Sequence, residues 1–255
     1  MSRIQKTIGT VIRIVDYGDS DQILSVLTPD RGKLSFMAKG ARKSSQRFGG
    51  AVDLLTQSEF VFYDREGLKS LNQATLVNAH SALQTDYDRL TTALRCARTI
   101  NRLLEDDQEA TDVFELFERL LRVLSSDASV ETLGVYELAF KLKLMLRLGW
   151  APILDVCANC GKDPQTSWFS MTMGGVLCED CHRGDRSDEI PLSPGAARSL
   201  HMALKLPFDK LGRLRLSSAI VETGTRIVDG FIAHHLRPLM AYAAQTSKRK
   251  SSRRA

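Results

Sequence analysis

Residues 22–38 read QILSVLTPDRGKLSFMA, and this stretch decides the fold of the first part of the chain. The runs Gln22–Leu27 and Leu34–Ala38 are rich in residues that favour extended backbone. Between them, Pro29-Asp30-Arg31-Gly32 has the chemistry of a tight turn, ending in the Gly that a demanding backbone position tolerates. Outward from this pair, Val11–Val15 precedes it, and Glu59–Tyr63 and Leu68–Leu76 follow around a second turn, Asp64-Arg65-Glu66-Gly67. Five short strands between Thr7 and about Val77 predict a small barrel. A five-stranded Greek-key barrel of OB type is the commonest such unit that handles single-stranded nucleic acid, although fold alone does not establish function.

Near Asn78 the apolar period changes from two to about 3.6, and residues 80–105, 111–125 and 129–148 carry apolar positions at helical spacing. Lys141, Lys143 and Arg147 alternate with apolar residues as in a strand. The length of the run and the Gly149…Pro152 stop favour a helix buried on more than one side. Residues 155–185 interrupt the pattern with cysteine pairs, and helical spacing resumes after Pro194 and continues to about Tyr242. The expected chain is an α+β multidomain protein: an OB-type barrel over 1–79, an all-α domain over 80–246 carrying a four-cysteine module at about 155–185, and a basic disordered tail over 247–255.

Cys157-Ala-Asn-Cys160 and Cys178-Glu-Asp-Cys181 are separated by 17 residues, inside the spacing of a four-cysteine zinc site. Each CxxC lets two thiolates reach one ion from one turn. The intervening WFSMTMGGVL can form a hairpin through Gly174-Gly175, and Gly161 permits the bend after the first pair. Four sulfur ligands close the coordination sphere, which makes the expected Zn2+ structural, since a catalytic zinc keeps a position open. His182 adjoins Cys181, but neighbouring side chains rarely both reach one ion, so it is read as a bystander. Cys96 sits in an apolar helical pattern as a small core residue.

The net charge of +5 is unevenly spread. Residues 1–80 hold eleven Lys/Arg against eight Asp/Glu, residues 81–246 nineteen against twenty-two, and the last nine add five cations and no acid. A polyanion should therefore meet the first part or the tail. Arg31, Lys33, Lys39, Arg42, Lys43 and Arg47 fall in one stretch without an acidic residue. Such a stretch can neutralise phosphates beside stacking aromatics, and it is equally consistent with a solvated strand and loop. Phe36 leans to the core, because it shares a strand face with Leu34 and Ala38. No GxxxxGK[ST], GxGxxG, HExxH, GxSxG or deaminase signature occurs, which removes sequence support for nucleotide-driven and hydrolytic chemistry. His234-His235 lack a nucleophile or carboxylate at a telling spacing and are read as helix-end residues. The start of the chain has charges where a signal peptide needs an apolar stretch, and no later apolar run could span a bilayer. The expected location is the cytoplasm, with no membrane partner.

The segments YGDSDQILSVLTPDRGKLSFMAKGARK (17–43), RFGGAVDLLTQSEFVFY (47–63), ELAFKLKLMLRLGWAP (137–152), LSPGAARSL (192–200) and FIAHHLRPL (231–239) follow one another in the order found in RecO proteins. Together with a zinc-binding insertion inside the helices, the chain resembles that family over most of its length. The resemblance implies an OB-fold followed by a helical domain, binding of single- and double-stranded DNA, and annealing of complementary strands without enzymatic turnover. It further implies partnership with RecR and with the single-strand-binding protein, indirect help to RecA in replacing that protein, and a nucleoid-associated role in DNA repair and recombination. Carried over by position, the family's basic AKGARK-type loop falls on Lys39, Arg42 and Lys43, the next basic position on Arg47, and the zinc ligands on the four paired cysteines. Two other readings stay open: a zinc-ribbon adaptor of transcription or ribosome machinery, which the acidic balance of residues 155–185 disfavours, and a nucleic-acid enzyme, which would show substrate turnover.

Overall fold

Strand β1 (Ile4–Tyr17) is longer than its apolar run because it serves two partners. Ile4–Thr10 pairs antiparallel with β4 (Gln57–Tyr63), Thr10–Tyr17 pairs with β2 (Asp21–Thr28), and an irregularity between Val11 and Arg13 bends the strand between them. With β3 (Gly32–Ala38) and β5 (Lys69–Asn78) the sheet closes as a barrel in the order β1-β2-β3-β5-β4, the expected five-stranded OB type. Alternation then dictates the interior: Leu34, Phe36 and Ala38 of β3 are fully buried, with Phe36 against Phe60 at 5.5 Å and Phe62 at 5.0 Å between ring centroids. Phe48, Ala51 and Val52 join the same core from a short 3-10 turn, Gly49–Val52. The structure, a computed structural model, describes residues 4–43, 48–126, 128–184 and 188–251, with side chains described as far as Leu236.

The chain then turns helical: α1 (Ser81–Gln84), α2 (Tyr87–Leu103), α3 (Thr111–Ser126), α4 (Leu133–Arg147), and, after the cysteine module, α5 (Pro194–Lys205), α6 (Phe208–Leu211) and α7 (Ser218–Ser251). Asp86 caps α2 by accepting from the backbone N–H groups of Asp88 and Arg89, and Ser193 caps α5 in the same manner. Helix α4 is the predicted helix with alternating lysines, buried on nearly every side between α2, α3, α5 and α7. Its charged positions survive burial because each is partnered. Glu137 binds Arg95 at 2.7 Å and Lys141 at 2.9 Å, Lys141 also binds Asp229 at 2.7 Å, and Lys143 Nζ donates to the Leu204 carbonyl at 2.6 Å. Burial, with Arg147 nearby, brings the Lys143 ammonium down to about 8. Gly224 lets α7 pack closely, since a Cβ there would lie 2.7 Å from Leu200 Cδ2. Helix α7 runs to Ser251, so residues 247–251 are helical where a disordered tail was expected, and 252–255 lie outside the described residues. No helix among the described residues is long and apolar enough to cross a membrane.

Barrel and helices share a core, because Ile12, Leu27 and Leu55 pack into the helical cluster. The edge of β3 explains the rest of the junction. It pairs with β5 only at Phe36–Lys69 and Met37–Ser70, and its first half is instead covered by the segment after α2. Asp107 N–H donates to the Lys33 carbonyl at 2.9 Å, and Lys33 and Asp106 form a parallel bridge. Gly32 faces the Gln108 carbonyl so closely that a Cβ would lie 1.6 Å from its oxygen, at φ +65°. Gly67 has φ +70° with open space around it, which separates backbone strain from the clash. Gly67→Ala should lower stability by about 1–2 kcal/mol through its left-handed backbone alone, and Gly32→Ala by at least about 2 kcal/mol more, read by denaturant unfolding. Equal losses would show that the segment after α2 does not press against β3.

Candidate functional site

The cysteine module forms where β6 (Trp168–Ser170) pairs antiparallel with β7 (Gly175–Leu177), around a turn in which Gly174 takes φ +69°. An unexpected third strand, β8 (Glu189–Pro191), adds to the free side of β6. Phe169 of β6 meets Phe231 of α7 edge-on at 5.7 Å, and Met171 packs over Gly230, so the module is anchored to the helical core. Cys157 and Cys160 sit on one tight turn closed by Gly161 N–H to the Cys157 carbonyl at 2.8 Å, with Gly161 at φ +76°. Cys178 and Cys181 sit on a second, closed by Cys181 N–H to the Cys178 carbonyl at 3.1 Å.

These two turns bring all four Sγ atoms within 4.8 Å of one another, and Cys160 Sγ lies 3.6 Å from Cys178 Sγ. Four thiolates about 2.3 Å from one tetrahedral ion would be roughly 3.8 Å apart, so the donor set fits a metal ion. Two donors brace the sulfurs: Cys178 N–H points at Cys157 Sγ at 3.4 Å and Asn159 Nδ2 at Cys181 Sγ at 3.3 Å. Burial opposes ionisation of Cys157, but N–H groups of Cys178, Cys160 and Asn159 outweigh it and draw the thiol down to about 6. Burial and the neighbouring thiols push Cys178 up to about 12. Sulfurs this close cannot all carry charge unless a cation shares it.

Cys96, His182 and His235 are occupied otherwise. Cys96 is fully buried in α2, and burial pushes its thiol well up. His182 stacks on Trp168 at 3.9 Å with nearly parallel rings and bonds Glu189 through Nδ1, which holds its ring in packing. His235 stacks on Trp150 at 4.6 Å, and with His234 it lies inside α7, not at a helix end, because that helix continues well past Tyr242.

The basic stretch is divided by its own strand. Seven extended residues of β3 separate its two halves by roughly 20 Å. At the first end Arg31 is tied to Asp64 at 3.2 Å and to Gln5 at 3.1 Å, over the buried ring of Phe62. Lys33 is 8% exposed, with Nζ 3.1 Å from both the Asn101 carbonyl and Asp106, and so belongs to the domain junction. At the other end Lys39, Arg42 and Lys43 are exposed on a turn docked against the β1–β2 hairpin, through Arg42 N–H to the Ser20 carbonyl at 3.0 Å and Gly40 N–H to Asp21 at 2.8 Å. The Arg42 guanidinium makes a loose, exposed pair with Asp16 at 3.6 Å and a long hydrogen bond to the Gly18 carbonyl at 3.4 Å. Arg47 lies outside the described residues. Phe36 and Phe48 are both buried, so the aromatic beside this turn is Tyr17 at the hairpin tip, 56% exposed. Sequence reasoning passed over Tyr17, although its place at the end of a strand before Gly18-Asp19 marks a hairpin tip.

Comparison with known proteins agrees with this architecture in both halves. A family profile described as Recombination protein O N terminal matches residues 1–80, and one described as Recombination protein O C terminal matches residues 84–242, meeting where β5 gives way to helix. The protein named DNA repair protein RecO from Caldanaerobacter subterraneus subsp. tengcongensis is 31% identical over 234 residues, 92% of this chain and 94% of its own. Those of Anaeromyxobacter sp. (strain K) and Roseiflexus sp. (strain RS-1) are 33% identical over 244 residues and 31% over 237, covering 92% of this chain in each case and 92% and 82% of theirs. With both domains matched in order, the chain belongs to the RecO family of recombination and DNA repair proteins.

Proposed function

We propose that this protein is a non-catalytic DNA-binding mediator of repair and recombination. In this reading it holds single- and double-stranded DNA, anneals complementary strands, and with RecR helps RecA replace the single-strand-binding protein on the chromosome in the cytoplasm. The observation that carries this reading is the exposed turn at the end of β3, where Lys39, Arg42 and Lys43 stand beside Tyr17 on an OB-type barrel. Cations there neutralise phosphates, and an exposed ring offers a face on which an unpaired base can stack, a combination that binds strands without regard to sequence. Arg47, four residues on, is assigned a DNA contact by its position in the family's pattern alone, whereas Arg31 and Lys33 are engaged within the protein.

Docking of the single-strand-binding protein is supported by a groove of about 590 Å³ on the helical domain. Leu116, Val123 and Phe208 give it an apolar floor, and Arg122, Arg147 and Lys205 a basic rim, which suits a segment with acidic residues and an apolar end. The cysteine centre we assign to one structural zinc per chain. All four donors are sulfur, so no position is left open for a reacting water, and its role is to fix the module against α7.

Two measurements check these assignments. Metal analysis should find one zinc per chain in wild-type protein, a loss of it in Cys157→Ser together with a lower melting temperature, and wild-type zinc in Cys96→Ser. Wild-type zinc content and melting temperature in Cys157→Ser would place the metal elsewhere. Replacing Lys39, Arg42 and Lys43 together by Ala should weaken binding to unrelated single strands alike, and reduce the salt slope by about 0.7 for each phosphate that is no longer neutralised. A folded triple variant with unchanged affinity and slope would move the DNA site off this turn.

A further inference from the structure

Helix α2 carries Arg95, Arg98 and Arg102 at spacings of three and four residues, which send all three side chains to one side of the helix. That side opens into a groove of about 280 Å³, walled opposite by Glu137 and Lys141 of α4 and by Asp229 and Ile232 of α7. Both carboxylates are already committed: Glu137 to Arg95 and Lys141, Asp229 to Lys141. The aspartates that follow the helix are turned away, Asp106 to Lys33 at 3.1 Å and Asp107 to Lys69 at 2.6 Å. Arg98 and Arg102 are exposed and have no ion pair among the described residues. The groove therefore presents two unneutralised guanidinium groups, about 6 Å apart along the helix, above a network of ion pairs centred on the largely buried Glu137 and Lys141.

We propose that this groove binds the sugar-phosphate backbone of a second nucleic-acid strand while the turn at Lys39–Lys43 holds the first. The proposal rests on the DNA-binding reading above and deepens it, because a protein that brings two strands together needs two places to hold them. The two places are distinct: α2 meets the barrel at Lys33, where Lys33 Nζ reaches the Asn101 carbonyl, and the basic turn lies at the far end of β3. Phosphate suits the lining better than an acidic protein segment does. Guanidinium forks match phosphate oxygens, and the walls offer one apolar side chain, Ile232, too little to seat the buried anchor that a peptide partner relies on.

The test mixes full-length protein with two non-complementary thymidine oligonucleotides, one carrying an energy-transfer donor and the other an acceptor. Wild-type protein should give a transfer signal from both strands on one complex. In Arg98→Ala/Arg102→Ala the affinity for the second strand should fall about tenfold or more, while binding of the first strand persists, and the overall salt slope should drop by about 1.4 for two phosphates. Arg98→Lys/Arg102→Lys should keep most of the signal. A double alanine variant that holds both strands like wild type, while the Lys39/Arg42/Lys43 variant loses binding, overturns the second site and leaves the DNA-binding reading standing. Wild-type strand binding in the double variant with loss of binding to poly-glutamate also overturns it, and assigns the groove to an acidic protein. If the basic-turn variant too binds both strands like wild type, the DNA-binding reading itself fails.

Discussion

The structure depends on how the open half of β3 is covered. In a closed five-stranded barrel the parallel contact between β3 and β5 is the weak seam, and here it is only two residue pairs long. Beyond that seam the edge of β3 is met at Lys33 by the segment after α2, whose Asp107 N–H bonds the Lys33 carbonyl and which brings Asp106 and Asp107 to the buried Lys33 and Lys69. A buried ammonium without a partner is strongly unfavourable, so each half of the protein supplies what the other needs. The barrel gains a covered edge and neutralised lysines, and the helices gain Ile12, Leu27 and Leu55 as part of their core. The consequence for function is a fixed relation between the basic turn at one end of β3 and the helices at the other.

A second dependence runs through α4 and α7. Helix α4 is surrounded, and its charged residues tie α2 to α7 through Arg95, Glu137, Lys141 and Asp229. The cysteine module is set against the same α7 by Phe169, Phe231 and Met171. Its two turns converge only because a short hairpin returns the second pair beside the first. A metal bound there would act on architecture, by joining the two turns of a module that already packs on the helix completing the core.

Much of this was legible in the residues. The turns at 29–32 and 64–67, the change of period near Asn78 and the CxxC spacing all rest on local chemistry, and the strands, the helices and the sulfur cluster follow them. The full length of β1 was hidden because Ile4–Thr10 pairs with a strand some fifty residues away, a partner no local pattern announces. The basic stretch misled for the opposite reason. Its cations are neighbours in sequence, but an extended strand separates Arg31 from Lys39, Arg42 and Lys43, and alternation turns Lys33 into the junction. The arginines of α2 were hidden in the acidic balance of residues 81–246, because net charge does not record that the acids nearby are already paired. The place of His234 and His235 inside α7 depended on where that helix ends, which its basic composition concealed.

In the proposed function, the protein brings strands together through charge, without chemical fuel. Two strands repel until something shares their charge, and pairing then supplies the driving force. The most direct measurement follows pairing of labelled complementary single strands with the full-length protein and no nucleotide triphosphate. Wild-type protein should accelerate pairing, added ATP should change nothing, and the protein without the Lys39, Arg42 and Lys43 charges should no longer accelerate it. Strict dependence on ATP, or pairing by that variant at the wild-type rate, would contradict the proposed function.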